Sequence, residues 1–481
     1  MNSNVYIRAD GDSKIGLGHI VRCISLAHML NKDFKIHFFT LKIPDTLRIE
    51  IIQNGWNMTV LEKESDFIKV LSGSEIVVLD GYQFDSDYQK KIKNTGCKLV
   101  CIDDFHSQHF YADLVINHAP GALEEYYGGE DYTKYLLGPE YALLRPEFLE
   151  VQASKKRIDS EEIKNIFVCF GGSDSKNFTA KVLSWLPKEG YSVTVIIGNS
   201  YSNQKELSSV IKERKDLEII LKSSLSATEM RTEFQHADLA IIPASGISIE
   251  ALVLGVPSVI GHYATNQLTM YKGMVNKKGF FDAVDFTRDK FVKAFNTAIE
   301  NCEIPENIYS PHISKRINKE FNKLKSQTNL NLRVAAVKDI DDLYEWANDP
   351  NTRKNSYNQK KIDYTSHVEW FQHKLNSPDC EFLIFENEIN EKLGFVRFDR
   401  AKENTWIISI NVAPEQRGKG YSVELLRKGS TYLAEKHAEV LIKAFIKEVN
   451  IASKIVFERA GFVKIEEKNI NGEDSIVMIW K

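Results

Sequence analysis

A histidine near the amino terminus follows two closely spaced glycines, in the segment Gly16-Leu17-Gly18-His19. An apolar strand pattern precedes this segment and a helix-period pattern follows it, so Gly18 and His19 are predicted to begin a helix. The unpaired N–H groups of a helix start can stabilise a phosphate or a leaving-group oxyanion. His19 is the candidate general base, because histidine exchanges protons near neutral pH. The segment alone is equally typical of a strand-to-helix turn with His19 as a polar cap, and Val21 excludes the dinucleotide-binding fingerprint.

Two glycine-containing turns in the middle of the chain have the residue types of a nucleotide site. Gly171-Gly172-Ser173-Asp174 follows an apolar strand and can lay its backbone against a phosphate. In Gly246-Ile247-Ser248-Ile249-Glu250, small residues open a helix and the Glu250 carboxylate lies one turn inside it. That carboxylate can accept both hydroxyls of a ribose, although an acidic residue in a first turn also stabilises the helix dipole. Asn266-Gln267 forms a further polar turn after the next strand.

A third candidate loop, Arg417-Gly418-Lys419-Gly420-Tyr421, lies between a strand and a helix near the carboxyl terminus. Its consecutive N–H groups can wrap a pyrophosphate, and Arg417 and Lys419 add positive charge. A strand end at Asn450, a helix and a Gly-Phe turn follow downstream in the expected order.

Alternating strands and helices must position the first two groups of residues. Up to residue 152, short apolar runs alternate with helical patterns, which is typical of a doubly wound parallel sheet. A second series of this kind occupies residues 153–327, and the polar stretch at 152–164 is interpreted as a hinge. Two such lobes imply a cleft, and ligands bind beyond the carboxyl ends of parallel strands. Polar residues at those ends, which could instead cap the next helix, occupy positions 80–83, 103–106 and 117–120.

Residues 328–481 have a different pattern. Three strand patterns at 381–386, 393–397 and 406–412 follow one another as a meander. The pattern predicts an α+β domain with a largely antiparallel sheet. The predicted fold class is therefore a pair of α/β lobes followed by a separate α+β domain.

The composition is typical of a globular protein. The 481 residues, 43% hydrophobic and 27% charged, correspond to about three domains. A net charge of −4 and a pI near 6.3 argue against a nucleic-acid partner. The six cysteines lack metal-ligand spacing, so we expect no metal, and free thiols in a reducing compartment. The sequence shows neither an export signal nor a long apolar run, so we expect a cytoplasmic protein without a membrane partner.

The last domain resembles the GCN5-related N-acetyltransferases over residues 330–481. The resemblance implies acetyl-CoA as cosubstrate, with its pyrophosphate on the loop at 417–421 and its pantetheine along the strand near Ile410 and Val412. It also implies that Asn450 contacts the cosubstrate. Phe457 stands where many members have the tyrosine that protonates the departing thiolate. An acid must therefore come from elsewhere, or the thiolate leaves unaided.

The first 330 residues resemble the UDP-2,4-diacetamido-2,4,6-trideoxy-β-L-altropyranose hydrolases of pseudaminic acid biosynthesis, relatives of the GT-B glycosyltransferases. The matching elements are Arg8-Ala9-Asp10, Gly16-Leu17-Gly18-His19, Arg22, Asp80, Tyr82, Ile102-Asp103-Asp104, Gly138-Pro139-Glu140-Tyr141, Leu144-Arg145-Pro146, Gly171-Gly172-Ser173-Asp174, the segment from Gly246 to Glu250, and Asn266-Gln267. The resemblance implies a GT-B-like pair of lobes, His19 as the catalytic base and Tyr82 near the reacting sugar. The second lobe would hold UDP, with Glu250 on the ribose. The other expected substrate contacts are Gly16, Gly18, Arg22, Arg145, Gly172, Ser173, Asp174, Gly246, Ile247, Ser248, Asn266 and Gln267.

Together the two resemblances imply a bifunctional enzyme of nonulosonic acid biosynthesis, of the kind that supplies flagellin glycosylation. It would acetylate the 4-amino group of a UDP-sugar with acetyl-CoA and then hydrolyse the diacetamido product, with inversion, to UDP and free sugar. UDP-sugar and acetyl-CoA are the expected partners, and association with other enzymes of the pathway is left open. The alternatives are a nucleotide-sugar glycosyltransferase, a hydrolase with a non-catalytic acetyltransferase-like binding module, or the same two activities on another sugar isomer or acyl group.

Overall fold

The computed structural model describes residues 3–12, 16–149, 163–187, 190–198, 200–305, 312–328, 330–387, 390–418, 420–437 and 439–480. Lys419 and most of the predicted hinge lie outside the described residues. The chain divides into two compact units, Met1–Asn322 and Lys323–Lys481.

The first part of the larger unit, residues 3–149, contains a parallel sheet and is called the first lobe. Its strands are β1 (Ser3–Ala9), β2 (Phe34–Thr40), β3 (Asn57–Val60), β4 (Ile76–Asp80), β5 (Lys98–Ile102), the short β6 (His109–Phe110), β7 (Leu114–Asn117), the short β8 (Gly128–Gly129) and β9 (Lys134–Leu137). Its helices are α1 (Gly18–Leu30), α2 (Asp45–Gln53), α3 (Ser65–Lys69), α4 (Ser86–Asn94) and α5 (Pro146–Leu149). The sheet order is β3-β2-β1-β4-β5-β7-β9, while β6 and β8 pair separately. Every residue of β4 and β5 is buried, as expected for parallel strands covered on both faces.

The second lobe, residues 163–305, repeats this architecture. Its strands are β10 (Asn165–Cys169), β11 (Ser192–Ile197), β12 (Glu218–Ser223), β13 (Leu239–Pro243), β14 (Ser258–Gly261) and β15 (Phe280–Val284). The helices are α6 (Phe178–Trp185), α7 (Gln204–Glu213), α8 (Ala227–His236), α9 (Gly246–Leu254), α10 (Leu268–Met274) and α11 (Arg288–Glu300), after which α12 (Ile313–Thr328) follows. All neighbouring strands in the order β12-β11-β10-β13-β14-β15 are parallel. The prediction of alternating strands and helices in two parallel sheets is confirmed.

The strand order places the candidate residues at equivalent points of the two sheets. In each sheet the first strand of the lobe is central. The next two strands of the chain lie on one side of it and the later strands lie on the other, so the strand order reverses at β1 in the first lobe and at β10 in the second. The crevice beside such a reversal is where open α/β sheets bind ligands. The loop before His19 follows β1, and the glycine turn at 171–174 follows β10. Asp80 ends β4, and Gly246 begins the helix after β13.

The smaller unit contains a mostly antiparallel sheet. Its strands are β16 (Asn331–Val334), β17 (Cys380–Glu386), β18 (Lys392–Lys402), β19 (Thr405–Val412), β20 (Leu441–Lys447), β21 (Val463–Ile470) and β22 (Glu473–Trp480). Its helices are α13 (Ile340–Asn348), α14 (Pro350–Asn355), α15 (Tyr364–Leu375), α16 (Tyr421–Lys436) and α17 (Ile451–Arg459). The sheet order is β16-β17-β18-β19-β20-β22-β21, and β19 and β20 are parallel. The predicted α+β pattern is confirmed.

Candidate active site

A charged network surrounds His19 in the first turn of α1. The Nδ1 atom of His19 lies 2.6 Å from Oδ1 of Asp80, and Arg22 donates to both Asp80 oxygens at 2.6 Å. Burial opposes ionisation of Asp80, but Arg22 and His19 outweigh it, so the pKa of this carboxyl lies well below its usual range. Asp80 is therefore an anion that accepts a hydrogen bond from the Nδ1–H group of His19, which leaves Nε2 as the unprotonated, basic nitrogen of the neutral ring. Nε2 has no hydrogen-bond partner among the described residues, and His19 lines a cavity.

A second carboxylate extends this network. Asp104, just beyond β5, accepts a hydrogen bond from Arg22 at 2.7 Å and one from the Tyr82 hydroxyl at 3.0 Å. Burial works against ionisation of Asp104, but Arg22 lowers the pKa of this carboxyl below its ordinary value. One guanidinium and two carboxylates give +1 and −2, a sum of −1 beside His19.

Another histidine, His118, lies at the end of β7 on the same edge of the sheet. Its Nδ1 atom accepts the backbone N–H of Leu143 at 3.3 Å, and its ring lines the same cavity. Burial and then the nearby Arg22 charge lower the pKa of His118 to about 4. His118 is therefore neutral at physiological pH, unlike an unperturbed histidine, which is partly protonated there.

The cavity beside these residues has a volume of about 580 Å³ and is lined by both lobes. Its second-lobe wall contains the turn after β10 and the start of α9, including Gly172, Ser173, Gly246 and Ile247. Gly171 has a φ of +82°, a conformation that favours glycine, and an added Cβ at Gly172 or Gly246 would meet nothing within 4 Å. The backbone of both segments is thus open to a ligand, and the N–H groups at the start of α9 suit an anion.

An ion pair between the lobes lines the same cavity. Arg145, in the segment before α5, donates two hydrogen bonds of 3.0 Å to the Glu250 carboxylate on α9. Burial raises the pKa of Glu250, and Arg145 opposes this shift. Two residues expected to contact substrate therefore bind each other, and each carboxylate oxygen keeps a further lone pair for a ligand hydroxyl.

Two further contacts join the lobes at this cavity. Asn266 donates to the Tyr82 hydroxyl at 2.9 Å, and Gln267 accepts the N–H of Tyr263 at 2.9 Å, which orders the same turn. The backbones of Gly121 and Gly273 approach so closely that a Cβ on Gly273 would lie 2.2 Å from the Gly121 nitrogen. The two lobes thus approach each other through backbone alone at these two glycines, which do not line the cavity.

Most of the expected substrate contacts lie on this cavity. The lining residues among them are Gly16, Gly18, His19, Arg22, Tyr82, Arg145, Gly172, Ser173, Gly246, Ile247, Glu250, Asn266 and Gln267. Asp174 and Ser248 are not on the wall. The Asp174 carboxylate accepts the N–H groups of Phe178 and Thr179 at 2.8 Å, and the buried Ser248 hydroxyl donates to the carbonyl of Ser245.

Asp80, Asp104 and His118 belong to the site but are not among the residues singled out as substrate contacts. Each lies at or just beyond the carboxyl end of a strand, and this position is the signal in the sequence that points to them. The same signal is ambiguous because such residues also cap helices, as Asp85 does for α4.

In the smaller unit, β19 and β20 separate along their length. The two strands are paired only over Thr405 to Ile407 of β19, which lie opposite Leu441 to Lys443 of β20. Beyond that point the strands continue, unpaired with each other, to Val412 and Lys447. The edge of β19 that faces β20 is therefore unpaired near Ile410 and Val412 in the described residues, whereas its other edge pairs with β18. A parted edge of this kind can bind an extended chain that carries amide groups.

The glycine loop after β19 leads into α16. Gly418 and Gly420 have φ values of +73° and +82°, and Tyr421 begins the helix. Turned backbone N–H groups at a helix start can bind a pyrophosphate. The Arg417 side chain, however, contacts Asp349 at 2.5 Å and Thr352 at 2.8 Å.

Asn450 and Phe457 follow β20 in the chain, at the N-cap of α17 and within that helix. Asn450 caps α17, because its side-chain oxygen accepts the N–H of Ser453 at 3.1 Å. Phe457 is buried in the core and packs edge-on against Phe462. A hydroxyl at position 457 would therefore lie within packed apolar side chains.

The described part of the chain contains neither a metal-ligand cluster nor a membrane-spanning helix. Among those residues, no group of three or more His, Cys, Asp and Glu side chains is arranged to hold a metal ion. The helices there include none with the length and hydropathy needed to cross a bilayer.

Comparison with known proteins gives separate findings for the two parts of the chain. Residues 329–463 match the acetyltransferase (GNAT) domain family, so the carboxyl-terminal region contains a GNAT domain. Crystal structures of spermidine N-acetyltransferase from Vibrio cholerae with CoA and spermine, and of aminoglycoside acetyltransferase AAC(6')-Ib with coenzyme A and kanamycin, are 17% and 18% identical. Each covers 32% of this chain, at 95% and 94% of its own length, with TM-scores of 0.30 and 0.28.

The amino-terminal half is homologous to two sugar-pathway proteins. The UDP-2,4-diacetamido-2,4,6-trideoxy-beta-L-altropyranose hydrolase of Campylobacter jejuni is 28% identical, across 57% of this chain and 97% of its own. The spore coat polysaccharide biosynthesis protein SpsG of Bacillus subtilis is 26% identical, across 58% of this chain and 83% of its own. An uncharacterised protein of Methanocaldococcus jannaschii is 28% identical across 97% of this chain and 98% of its own, so it spans both parts.

Proposed function

We propose that the larger unit hydrolyses UDP-2,4-diacetamido-2,4,6-trideoxy-β-L-altropyranose and that its two lobes are GT-B-like. One observation carries the proposal: the His19–Asp80 contact of 2.6 Å lies on one wall of a 580 Å³ cavity whose other wall has two glycine-containing turns. A base facing a phosphate-binding backbone suits cleavage of a sugar–phosphate bond. Homology to the Campylobacter jejuni hydrolase supports the choice of substrate.

The second lobe would hold the UDP moiety. The N–H groups at the start of α9 and the turn at Gly172 and Ser173 would bind the diphosphate. Glu250, fixed by Arg145, would accept the ribose hydroxyls through its remaining lone pairs. The sugar would then project towards Tyr82 and His19 in the first lobe.

His19 would act as the general base in an inverting displacement. Its Nε2 accepts a proton from water as the water oxygen bonds to the anomeric carbon. The bond from that carbon to the β-phosphate oxygen breaks, and its electron pair leaves with UDP. Asp80 holds the imidazole in the required tautomer and stabilises the imidazolium that forms. The N–H groups of the second lobe stabilise the charge that develops on the diphosphate.

For the GNAT domain we propose acetyl-CoA-dependent acetylation of the 4-amino group of the precursor UDP-sugar. The parted edge of β19 near Ile410 and Val412 fits the amide-containing pantetheine, and the loop containing Gly418 and Gly420 fits the pyrophosphate. Acetyl-CoA supplies the acetyl group as a thioester. The chain's own residues would orient the amine against it, which is the main requirement of such a transfer. The free diacetamido sugar would then serve as a precursor of a nonulosonic acid.

The test follows both reactions in one sample. The full chain receives the 4-amino UDP-sugar and acetyl-CoA, and NMR follows the acetylated UDP-sugar, the free sugar and UDP. His19→Ala should accumulate the acetylated UDP-sugar, whereas His28→Ala, on the same helix but packed against Trp56, should behave as wild type. Release of UDP by His19→Ala at the wild-type rate would contradict the assignment of the base.

The same sample separates the alternatives. A glycosyltransferase would release little UDP without an added acceptor, whereas a hydrolase releases UDP and a reducing sugar together. A non-catalytic acetyltransferase-like domain would bind acetyl-CoA without producing free thiol.

A further inference from the structure

The neutral histidine in the cleft, His118, has a defined tautomer. Because its Nδ1 atom accepts the N–H of Leu143, the ring proton of the neutral form lies on Nε2. Nε2 has no partner among the described residues, and the ring lines the cavity. The groups whose charges act on His118 are Arg22, Asp104 and Asp80. His118 therefore presents an N–H donor to a ligand and does not act as a base.

The wall that shares the cavity with this donor includes apolar side chains. They are Ala119, Leu143, Leu144 and Met270, each less than 10% exposed. An acetamido group has a carbonyl oxygen that accepts a hydrogen bond and a methyl group that needs an apolar surface. A single donor beside such a wall matches both parts of that group.

We propose that His118 donates a hydrogen bond to the carbonyl of the 4-acetamido group of the sugar and makes the cleft selective for the diacetamido UDP-sugar over its 4-amino precursor. This inference rests on the proposed hydrolase function of the same cavity. An ammonium group has only donors, so it cannot accept from Nε2 of His118. The Asp80 carboxylate is fully buried and already accepts hydrogen bonds from His19, Arg22 and Cys23, so it has no free lone pair for an ammonium group.

Three substitutions of His118 test the roles of its two ring nitrogens separately. His118→Gln places an amide N–H near the position of Nε2 but loses the Nδ1 acceptor. His118→Asn keeps an acceptor for Leu143 but does not reach the cavity. His118→Phe loses both groups while keeping a ring. His118→Gln and His118→Phe thus form a matched pair. Both leave the Leu143 N–H without its partner, but only His118→Gln keeps an N–H donor for the cavity.

The assay uses the full chain without acetyl-CoA, so that the 4-amino sugar is not acetylated during the measurement. UDP release gives kcat/KM for the diacetamido UDP-sugar and for its 4-amino counterpart. We expect His118→Asn and His118→Phe to lose about 10- to 100-fold on the diacetamido sugar and much less on the 4-amino sugar. His118→Gln should retain most of the wild-type preference. Because His19 is untouched, the pH profile should keep its shape in all three variants.

Different results contradict different claims. No UDP release from either sugar by the wild-type chain would refute the proposed hydrolase. Hydrolysis with the same preference in His118→Asn and His118→Phe as in wild type would refute the role of His118 and leave the hydrolase standing. ¹⁵N NMR of the wild-type chain tests the tautomer without any substitution. A protonated Nδ1 at pH 7 would overturn the inference.

Discussion

The side-chain amide of Asn266, in the second lobe, donates a 2.9 Å hydrogen bond to the hydroxyl of Tyr82 in the first lobe. The same hydroxyl donates to Asp104, which accepts from Arg22. Tyr82 thereby links the second lobe to the charged network around His19. The contact of Asn266 with the first lobe and the position of that network therefore both depend on the Tyr82 hydroxyl.

This coupling predicts different effects for two substitutions. Asn266→Ala removes only the Asn266–Tyr82 hydrogen bond, so KM for the UDP-sugar should rise about 2- to 10-fold with a smaller change in kcat. Tyr82→Phe also releases Asp104, so kcat should fall as well. Tyr126→Phe is the control, because Tyr126 is similarly exposed and packs against His106 outside the network. Steady-state UDP release measures both constants, and identical effects of the first two substitutions would contradict the coupling.

Asp80→Asn should remove most of the proposed hydrolase activity. The amide has nearly the shape of the carboxylate but no negative charge, so it neither stabilises the His19 imidazolium nor balances Arg22. We expect kcat to fall about 10²- to 10⁴-fold, the range for loss of effective general-base catalysis. The measurement is UDP release from the diacetamido sugar at saturating substrate.

The control for that prediction is Asp103→Asn. Asp103 also lies beyond β5, but it accepts hydrogen bonds from the His106 N–H and the Tyr127 hydroxyl and does not contact His19. Its substitution should leave kcat within a few-fold of wild type. If Asp80→Asn kept the wild-type rate, the imidazole would not need this carboxylate.

Local patterns were sufficient to predict where the candidate base lies. Glycine placement and the helix period around His19 predict the start of α1, because both depend on neighbouring residues. The partner of His19 could not be predicted in this way, since Asp80 is 61 positions away and reaches it only because β4 lies beside β1. The contact between Tyr82 and Asn266 spans 184 positions and depends on how the lobes meet.

Two other features show where sequence patterns are insufficient. The strand β15 is not apparent from its sequence, because Asp282 interrupts the apolar run and is exposed in the structure. The positive charge of Arg417 is typical of a phosphate site, yet the guanidinium pairs with Asp349, 68 positions earlier. A charge pattern shows which groups are present but not which partner is nearest in the fold.

In the smaller unit, Asp339 should contribute stability that depends on pH. Burial opposes its ionisation, but Arg333 at 2.7 Å and Lys392 at 2.8 Å hold the pKa of this carboxyl well below its usual range. A group with a lowered folded-state pKa stabilises the fold above its unfolded pKa of about 3.9, and this stabilisation is lost as pH falls towards the folded value. Asp339→Asn should lower the free energy of unfolding of this unit by about 1–3 kcal/mol at pH 7.

Calorimetry of the full chain at several pH values checks this prediction. The difference between wild type and Asp339→Asn should shrink below about pH 4, since protonation then removes the same charge from wild type. Asp342→Asn is the matched control, because Asp342 contacts the same Lys392 but is half exposed, and exposed pairs contribute at most about 1 kcal/mol. A difference that stayed constant down to pH 2 would contradict the role of the Asp339 charge.

Arg417 is expected to support acetyl-CoA binding indirectly, by anchoring the glycine loop. Its guanidinium contacts Asp349, Thr352 and the Val412 carbonyl, so it ties the glycine loop to the start of α14 and the end of β19. If this anchoring is its role, Asp349→Asn and Arg417→Lys should both raise KM for acetyl-CoA about 3- to 10-fold, because either change loosens the loop. If Arg417 instead binds the pyrophosphate directly, Asp349→Asn should free the guanidinium and lower KM.

Asp363→Asn is the control, because Asp363 caps α15 as Asp349 caps α14 but has no arginine partner in the described residues. Thiol release at varied acetyl-CoA concentration distinguishes the two outcomes by the sign of the change in Asp349→Asn.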